Sequence, residues 1–256
     1  MKNYVKCLLA GGALALSAIV PQAVTAQGFS ATEVQTLYGD GFLLGRNGRN
    51  ETSRATITID HLTVRKWGDL FFFVDNFSDG EGSGRKSDQY GEIYLHFSGR
   101  NAGLSFGDGL IKDVALGAAI NQGTDFTVAL IGPRVSFNVP GFRILSLGLY
   151  AYDTVTDPFN RDLDTTYQAT LVWNRPFEIG NQKFLFKGFT DFIGERGSNV
   201  DSQIVFSPQL RWDAGHAMGK KPGVFQVGLE YTHFENKFGV SAADEDSVSV
   251  FAAFKF

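Results

Sequence analysis

The stretch SVSVFAAFKF, which runs from Ser247 to Phe256, decides the fold of this chain. Val248, Val250 and the alternate residues after them are apolar, whereas the positions between them include two serines and Lys255. Side chains of a β-strand point alternately to its two faces. The stretch therefore predicts a strand with one apolar face and one more polar face.

The same alternation recurs along the rest of the chain and predicts twelve strands. They are expected near residues 32–42, 54–65, 68–76, 90–98, 110–120, 125–139, 143–153, 165–175, 183–193, 202–212, 223–233 and 247–256. An even number of strands returns both termini to one side, as in bacterial outer-membrane barrels. Residues 27–256 are therefore predicted to form an all-β fold, a transmembrane antiparallel β-barrel of about twelve strands with meander topology.

The segments between the strands support this topology. Connections after even-numbered strands are mostly tight, and several after odd-numbered strands are longer and polar, an asymmetry typical of periplasmic turns and external loops. Trp67, Trp173 and Trp212 are expected at the ends of even-numbered strands, and so at one membrane interface. Two places fit less well. A change of phase at Asp60–His61 predicts a β-bulge, and Pro133 predicts a bulge or kink in the sixth strand.

The first 26 residues have the pattern of a secretory signal peptide. Lys2 and Lys6 precede an apolar run over residues 7–20, and small residues follow at 24–26. This run is shorter than the roughly 20 apolar residues that span a bilayer. The single cysteine, Cys7, lies in this segment, so the mature chain has no thiol for a disulfide or a metal site. The net charge of −4 gives no basic surface for nucleic acid.

Short motifs are densest between residues 56 and 107. They comprise Asp60, the basic pair Arg65-Lys66 before Trp67, the run Asp69–Asp75 with three phenylalanines, GEIYLHFS (Gly91–Ser98) with Glu92 in an acidic position, and LSFG (Leu104–Gly107). GFTDF (Gly188–Phe192) and the aromatic C-terminus follow. In order and spacing these motifs resemble the nucleoside-specific channel-forming outer-membrane proteins, the Tsx-like family, over essentially the whole mature chain. Residues 37–49 match this family only loosely.

The resemblance implies passage of nucleosides across the outer membrane of a Gram-negative bacterium, with no metal or organic cofactor. In the third strand, Asp69, Phe71, Phe73 and Asp75 lie opposite an apolar face and are expected to face the lumen. Inward rings can stack on a base, and carboxylates can accept hydrogen bonds from ribose hydroxyls. The further lumen residues predicted to contact substrate are Asp60, Glu92, Tyr94, Tyr150, Lys187, Phe189, Asp191 and Glu230.

Other interpretations remain open on the sequence. The inward phenylalanines could simply fill the lumen, and the acidic residues could pair with Arg134, Arg143, Lys187 and Arg211. The solute could be a free base or another small aromatic molecule, or the chain could be a less selective porin. Catalysis is not the favoured function, although His61, His96, His216 and His233 would be the candidates in an outer-membrane hydrolase. The partners expected are the lipid bilayer, small nucleosides and the barrel-assembly machinery, which would engage the strand ending at Phe256. The chain is expected to be a monomer.

Overall fold

The computed structural model describes residues 28–44, 49–81, 83–84, 86–197 and 199–256. Each strand pairs antiparallel with its neighbours in sequence, and β1 also pairs with β12, so the sheet closes into a barrel. The strands are β1 Phe29–Leu44, β2 Asn50–Arg65, β3 Gly68–Asp79, β4 Ser87–Ser98, β5 Ile111–Gly123, β6 Thr127–Phe137, β7 Ile144–Thr156, β8 Thr166–Ile179, β9 Gln182–Ile193, β10 Gln203–Trp212, β11 Phe225–Glu235 and β12 Glu245–Lys255. The predicted twelve-stranded meander barrel is confirmed. The predicted signal peptide, residues 1–26, lies outside the described residues.

The two faces of the sheet differ in chemistry. One face is apolar and exposed, and includes Ile57, Leu149 and Val250. On the other face, Arg134 on β6 bonds to Asp69 on β3 although two strands separate them. Such contacts between strands that are not neighbours can form only across the enclosed space, which we call the bore. The polar face therefore points inward and the apolar face outward.

β1 begins and β12 ends at the same end of the barrel, which we call the terminal end. Two connections at this end, residues 99–110 and 213–224, are long and are exceptions to the mostly tight connections expected after even-numbered strands, whereas residues 124–126 form a tight turn at the opposite, far end. The 213–224 connection contains a short helix, α1 (Ala214–Ala217), and the Asp213 carboxylate fixes it by accepting hydrogen bonds from the backbone N–H groups of His216 and Gly223. No helix among the described residues is long and apolar enough to cross a bilayer.

The predicted β-bulge at Asp60–His61 is wrong. β2 keeps one register with β3 from Arg54 to Arg65, so Asp60 faces inward and His61 outward. The apparent change of phase arises because Leu62, near the terminal end, faces the bore although it is apolar. The irregularity lies instead in β1, where the register with β2 shifts between Gly39 and Phe42. Gly41 has a φ of +85° there, a conformation that a residue with a Cβ rarely adopts.

Two further expectations are corrected. Pro133 faces outward opposite Leu116, and the register of β6 is the same on both sides of it, so the predicted bulge does not form, although Gly132 and Pro133 do not pair with β7. Trp173 does not lie at the rim, because β8 continues to Ile179, well past its predicted end. Its ring packs on the outer face, with its centroid 5.8 Å from that of Phe206. Trp67 and Trp212 do lie at the terminal end.

Candidate functional site

The register places every predicted lumen residue on the inner face. Glu33, Asp60, Phe73 and Glu92 form one row of direct pairs across β1 to β4, and residues two positions away share that face. The twelve residues are Asp60, Asp69, Phe71, Phe73, Asp75, Glu92, Tyr94, Tyr150, Lys187, Phe189, Asp191 and Glu230. Their position is thus established, and their contact with a substrate stays a prediction.

Aromatic side chains gather on one side of the bore, along β3, β4 and β7. The Phe71 and Phe73 rings lie 6.1 Å apart, and Phe73 meets Tyr90 edge-on at 5.8 Å. Phe126, from the turn between β5 and β6, stacks on Tyr90 at 5.9 Å. We call the inward rings on this side the aromatic wall; its members are Phe71, Phe73, Tyr90, Tyr94, Phe126, Tyr150 and Tyr152.

Part of this wall is a packed core inside the barrel. Tyr94, Tyr150 and Tyr152 are buried, and they pack with Leu130 and Val128 from β6. These residues narrow the bore from that side. Phe71 and Phe73 are only half-buried, so their rings keep surface that a solute can contact. The interpretation that inward rings fill the lumen thus applies to the tyrosines more than to the two phenylalanines.

The opposite side of the bore, along β9 to β12 and β1, is mostly polar. Near the terminal end, charged side chains on this side gather around Glu33. Glu33 is buried and accepts a hydrogen bond from Arg211 at 2.6 Å. The ammonium groups of Lys255 and Lys187 lie 3.3 and 3.6 Å from the same carboxylate. We call these four residues the Glu33 cluster. Lys187, predicted as a lumen contact, is thus also part of a structural ion-pair network.

Arg134 and Asp69 form a second charged pair in the bore. The Arg134 guanidinium donates to Asp69 through both terminal nitrogens. His96 Nδ1 lies 2.9 Å from the same carboxylate, and the Tyr150 hydroxyl lies 3.0 Å from His96 Nε2. The proposed pairing of lumen acids with Arg134 is therefore correct for Asp69, and its carboxylate is largely occupied. Arg143 is exposed at the terminal end and lies outside this network.

Five other inward carboxylates have a different environment. Each accepts hydrogen bonds from neutral groups: Asp60 from Gln35, Asp75 from Thr58, Glu92 from Tyr90, Asp191 from Thr170 and Glu230 from Gln209. Within the described residues, no Lys or Arg forms an ion pair with any of them. We call these five residues the acidic belt.

Sequence reasoning missed several inward polar residues. Glu33, Gln35 and Gln209 were absent from the predicted set, although they alternate with outward residues in the same way as the residues that were named. The first strand lacked a recognised motif, so Glu33 drew no attention. Its importance comes from closure of the barrel, which brings β10 and β1 to the same part of the bore.

Two of the histidines named as catalytic candidates, His61 and His233, lie on the outer face. His233 lies on the outer face with Nδ1 2.9 Å from Asp246, but among its described contacts there is no serine hydroxyl. His61 also faces outward and stacks on Phe72. Across the described part of the chain, no group of three or more His, Cys, Asp or Glu residues is placed to hold a metal ion.

Comparison with known proteins gives a likeness in fold. No protein-family model matches the sequence. No curated protein matches it either. Among solved structures, the NanC porin superposes with a TM-score of 0.51 at 10% identity, over 88% of this chain and 100% of that one. The KdgM porin gives 0.50 at 9% identity, over 88% and 99%. The COG4313 outer membrane channel from Pseudomonas putida F1 gives 0.50 at 10%, over 91% and 97%. These structural neighbours are porins and channels.

Proposed function

We propose that this protein is an outer-membrane channel through which nucleosides, or similar small aromatic solutes, diffuse down their concentration gradient. The apolar outer face supports the membrane location, since a closed barrel with that face outward suits lipid. The structural neighbours, which are porins and channels, agree with this class of function. At 9–10% sequence identity these neighbours support the fold alone, so the solute is inferred from the side chains that line the bore.

The observation that carries the proposal is the pairing of half-buried rings with carboxylates. Phe73 lies directly opposite Asp60 on β2 and Glu92 on β4. A base stacked on Phe71 and Phe73 would keep its sugar within reach of acceptors on neighbouring strands. Base–aromatic stacking contributes about 1–3 kcal/mol per base. Contacts of that size hold a solute only weakly, which lets it enter and leave a conducting pore.

The chemical division of the bore also suits a nucleoside. The aromatic wall offers ring faces to a base, whereas the polar side offers acceptors such as Glu230 and donors such as Lys187 to hydroxyl groups. A sugar has no flat face to stack, so it would gain little from the aromatic wall. Selectivity for nucleosides over sugars would then follow from the presence of aromatic side chains on one side of the bore and polar side chains on the other.

The test is single-channel recording in a planar bilayer with adenosine, thymidine and a sugar of similar size. We expect current block by the two nucleosides but not by the sugar, and weaker block in Phe73→Ala by roughly tenfold or more. Phe72→Ala is the matched control, because Phe72 is the next residue on the same strand and faces outward. Equal passage of nucleosides and sugars would instead indicate a less selective small-solute porin.

A further inference from the structure

The acidic belt places five carboxyl groups in the middle of the bore. Glu92 on β4 interacts electrostatically with Asp75 and with Asp191, which lies across the bore on β9. Asp75 in turn interacts with Glu230 and Asp60. These residues come from β2, β3 and β4 on one side and from β9 and β11 on the other, so the belt faces the bore from two sides rather than covering one wall.

Cations act on the belt only from a distance: Arg54 interacts electrostatically with Asp75, and Lys187 with Glu230, but among the described residues neither forms an ion pair with a belt carboxylate. The cations nearest the terminal end of the bore are already engaged, Arg211 with Glu33 and Arg134 with Asp69. Ionised carboxylates are acceptors only, and like charges that lie close together disfavour one another. A positively charged donor in the bore would supply the carboxylates with hydrogen bonds and would reduce the repulsion between them.

Two buried amides make a second, independent observation. Asn121 on β5 lies directly opposite Glu92, and its Oδ1 has no hydrogen-bond partner although the residue is only 6% exposed. Gln168 on β8 is 1% exposed and donates to Thr170, the residue that bonds Asp191, while its own Oε1 has no partner. Buried polar atoms in proteins are nearly always hydrogen-bonded. Both unpaired oxygens can therefore accept a hydrogen bond from a donor outside this chain, either a water molecule or a solute in the bore.

We propose that the acidic belt, together with Asn121 and Gln168, forms a binding site for a small solute with a cationic N–H group, such as a protonated amine or amidine. The site also makes the bore selective for cations over anions. This inference rests on the channel function proposed above, and it adds a charge preference that nucleoside passage does not require. Rings of Asp and Glu are a known basis of cation selectivity in pores.

An organic cation fits the belt better than a metal ion does. The described acidic residues are not grouped in threes at metal-ligand spacing. They are spread around the bore, with the aromatic wall beside them; Phe73, for example, pairs directly with Glu92. A flat cation such as an amidine on a ring could stack on Phe73 and donate to the carboxylates at once, since cations also favour ring faces.

Three probes of nearly equal shape separate charge from shape. Benzamidine is cationic, benzamide is neutral and benzoate is anionic, and each would be added to single-channel recordings at mildly alkaline pH. We expect benzamidine to block current about tenfold more strongly than benzamide, and benzoate to block least. In a tenfold potassium chloride gradient, the reversal potential should shift toward the limit of about 59 mV for a perfectly cation-selective pore.

Variants assign these effects to the belt. Glu92→Gln combined with Asp191→Asn should weaken the preference for benzamidine over benzamide and move the reversal potential toward zero. Asn121→Leu should weaken benzamidine block while leaving the reversal potential near that of the unmodified protein. Glu178→Gln is the matched control, because Glu178 is an exposed carboxylate paired with Lys183 outside the belt. A folded barrel is verified for each variant by its circular dichroism spectrum and by its unitary conductance.

The outcomes separate the two proposals. Equal block by benzamidine and benzamide, or a reversal potential that favours chloride, would overturn the charge preference even if adenosine still blocks. Selective block by benzamidine without block by adenosine would support the cation site and overturn nucleoside passage. An unchanged benzamidine preference in the Glu92→Gln, Asp191→Asn variant would show that the site lies elsewhere, and would also contradict this inference.

Discussion

Replacing Glu33 by Gln removes the carboxylate that three cations share at the terminal end of the bore. The Glu33 side chain is 3% exposed and that of Arg211 is fully buried, with 2.6 Å between the guanidinium and the carboxylate. Without the carboxylate, the Arg211 guanidinium keeps only neutral partners, Gln209 and Gln226. Two lysines then add like charge to the same small volume.

The structure gives the size of the effect. Removing one partner of a buried ion pair costs about 3–5 kcal/mol, because the other charge stays buried without compensation. Lys255 is 38% exposed, so its contact with Glu33 contributes only about 0–1 kcal/mol. We therefore expect Glu33→Gln to lower the free energy of unfolding by about 3–5 kcal/mol, and Lys255→Met by about 1 kcal/mol or less.

The assay is urea unfolding of the refolded barrel in lipid vesicles, followed by tryptophan fluorescence. A double variant, Glu33→Gln with Arg211→Met, completes a thermodynamic cycle. It should lose less stability than the sum of the two single variants, since neither buried charge remains. Strict additivity, or a Glu33→Gln variant as stable as Lys255→Met, would refute the view that this cluster is a buried ion-pair network.

Two further predictions concern the loops and the outer face. Partial burial opposes ionisation of Asp157, but the Arg161 guanidinium and two backbone N–H groups outweigh it and hold the pKa of Asp157 below its usual value. Its contribution to stability is therefore complete at neutral pH and lost as pH falls through that lowered pKa. NMR titration of the amides bonded to its carboxylate should give a midpoint below that of an ordinary aspartate, and Asp157→Asn should remove the transition. A Cβ on Gly188 would collide with the Ser207 carbonyl oxygen and approach the Trp173 ring to 2.7 Å, so Gly188→Ala should cost about 1–3 kcal/mol and shift tryptophan emission. A Cβ on Gly109 would have no heavy atom within 4 Å, so Gly109→Ala should change neither the stability nor the tryptophan emission.

The strand pattern of this barrel follows closely from its sequence. The two faces of each strand contact different environments, lipid and the bore. Alternation of apolar and polar residues therefore identifies a strand and also shows which of its side chains face inward. That is why Phe71 and Phe73 could be assigned to the inner face and Phe72 to the outer face before the register was known. Strand ends depend on how neighbouring strands extend, which alternation does not encode. The placement of Trp173 at a rim failed for that reason.

The organisation of the bore could be predicted only in part. Alternation says which side chains face inward, but not which of them meet across the enclosed space. Glu33 and Lys187 belong to strands separated by a long stretch of chain, and they meet only because β1 closes on β12. Alternation likewise does not show that Asp69 on β3 forms an ion pair with Arg134 on β6, whereas the acids of the belt form none among the described residues.

Introduction of single cysteines along β3 tests the central claim, that acids and rings line a bore while apolar side chains face lipid. The chain has one cysteine, Cys7, which lies in the predicted signal segment, so a new thiol would report its own position. We expect a charged, water-soluble thiol reagent to reduce single-channel current in Phe71→Cys and Phe73→Cys. Leu70→Cys and Phe72→Cys should leave the current unchanged. Current loss at the even-numbered positions, or at none of the four, would contradict the account.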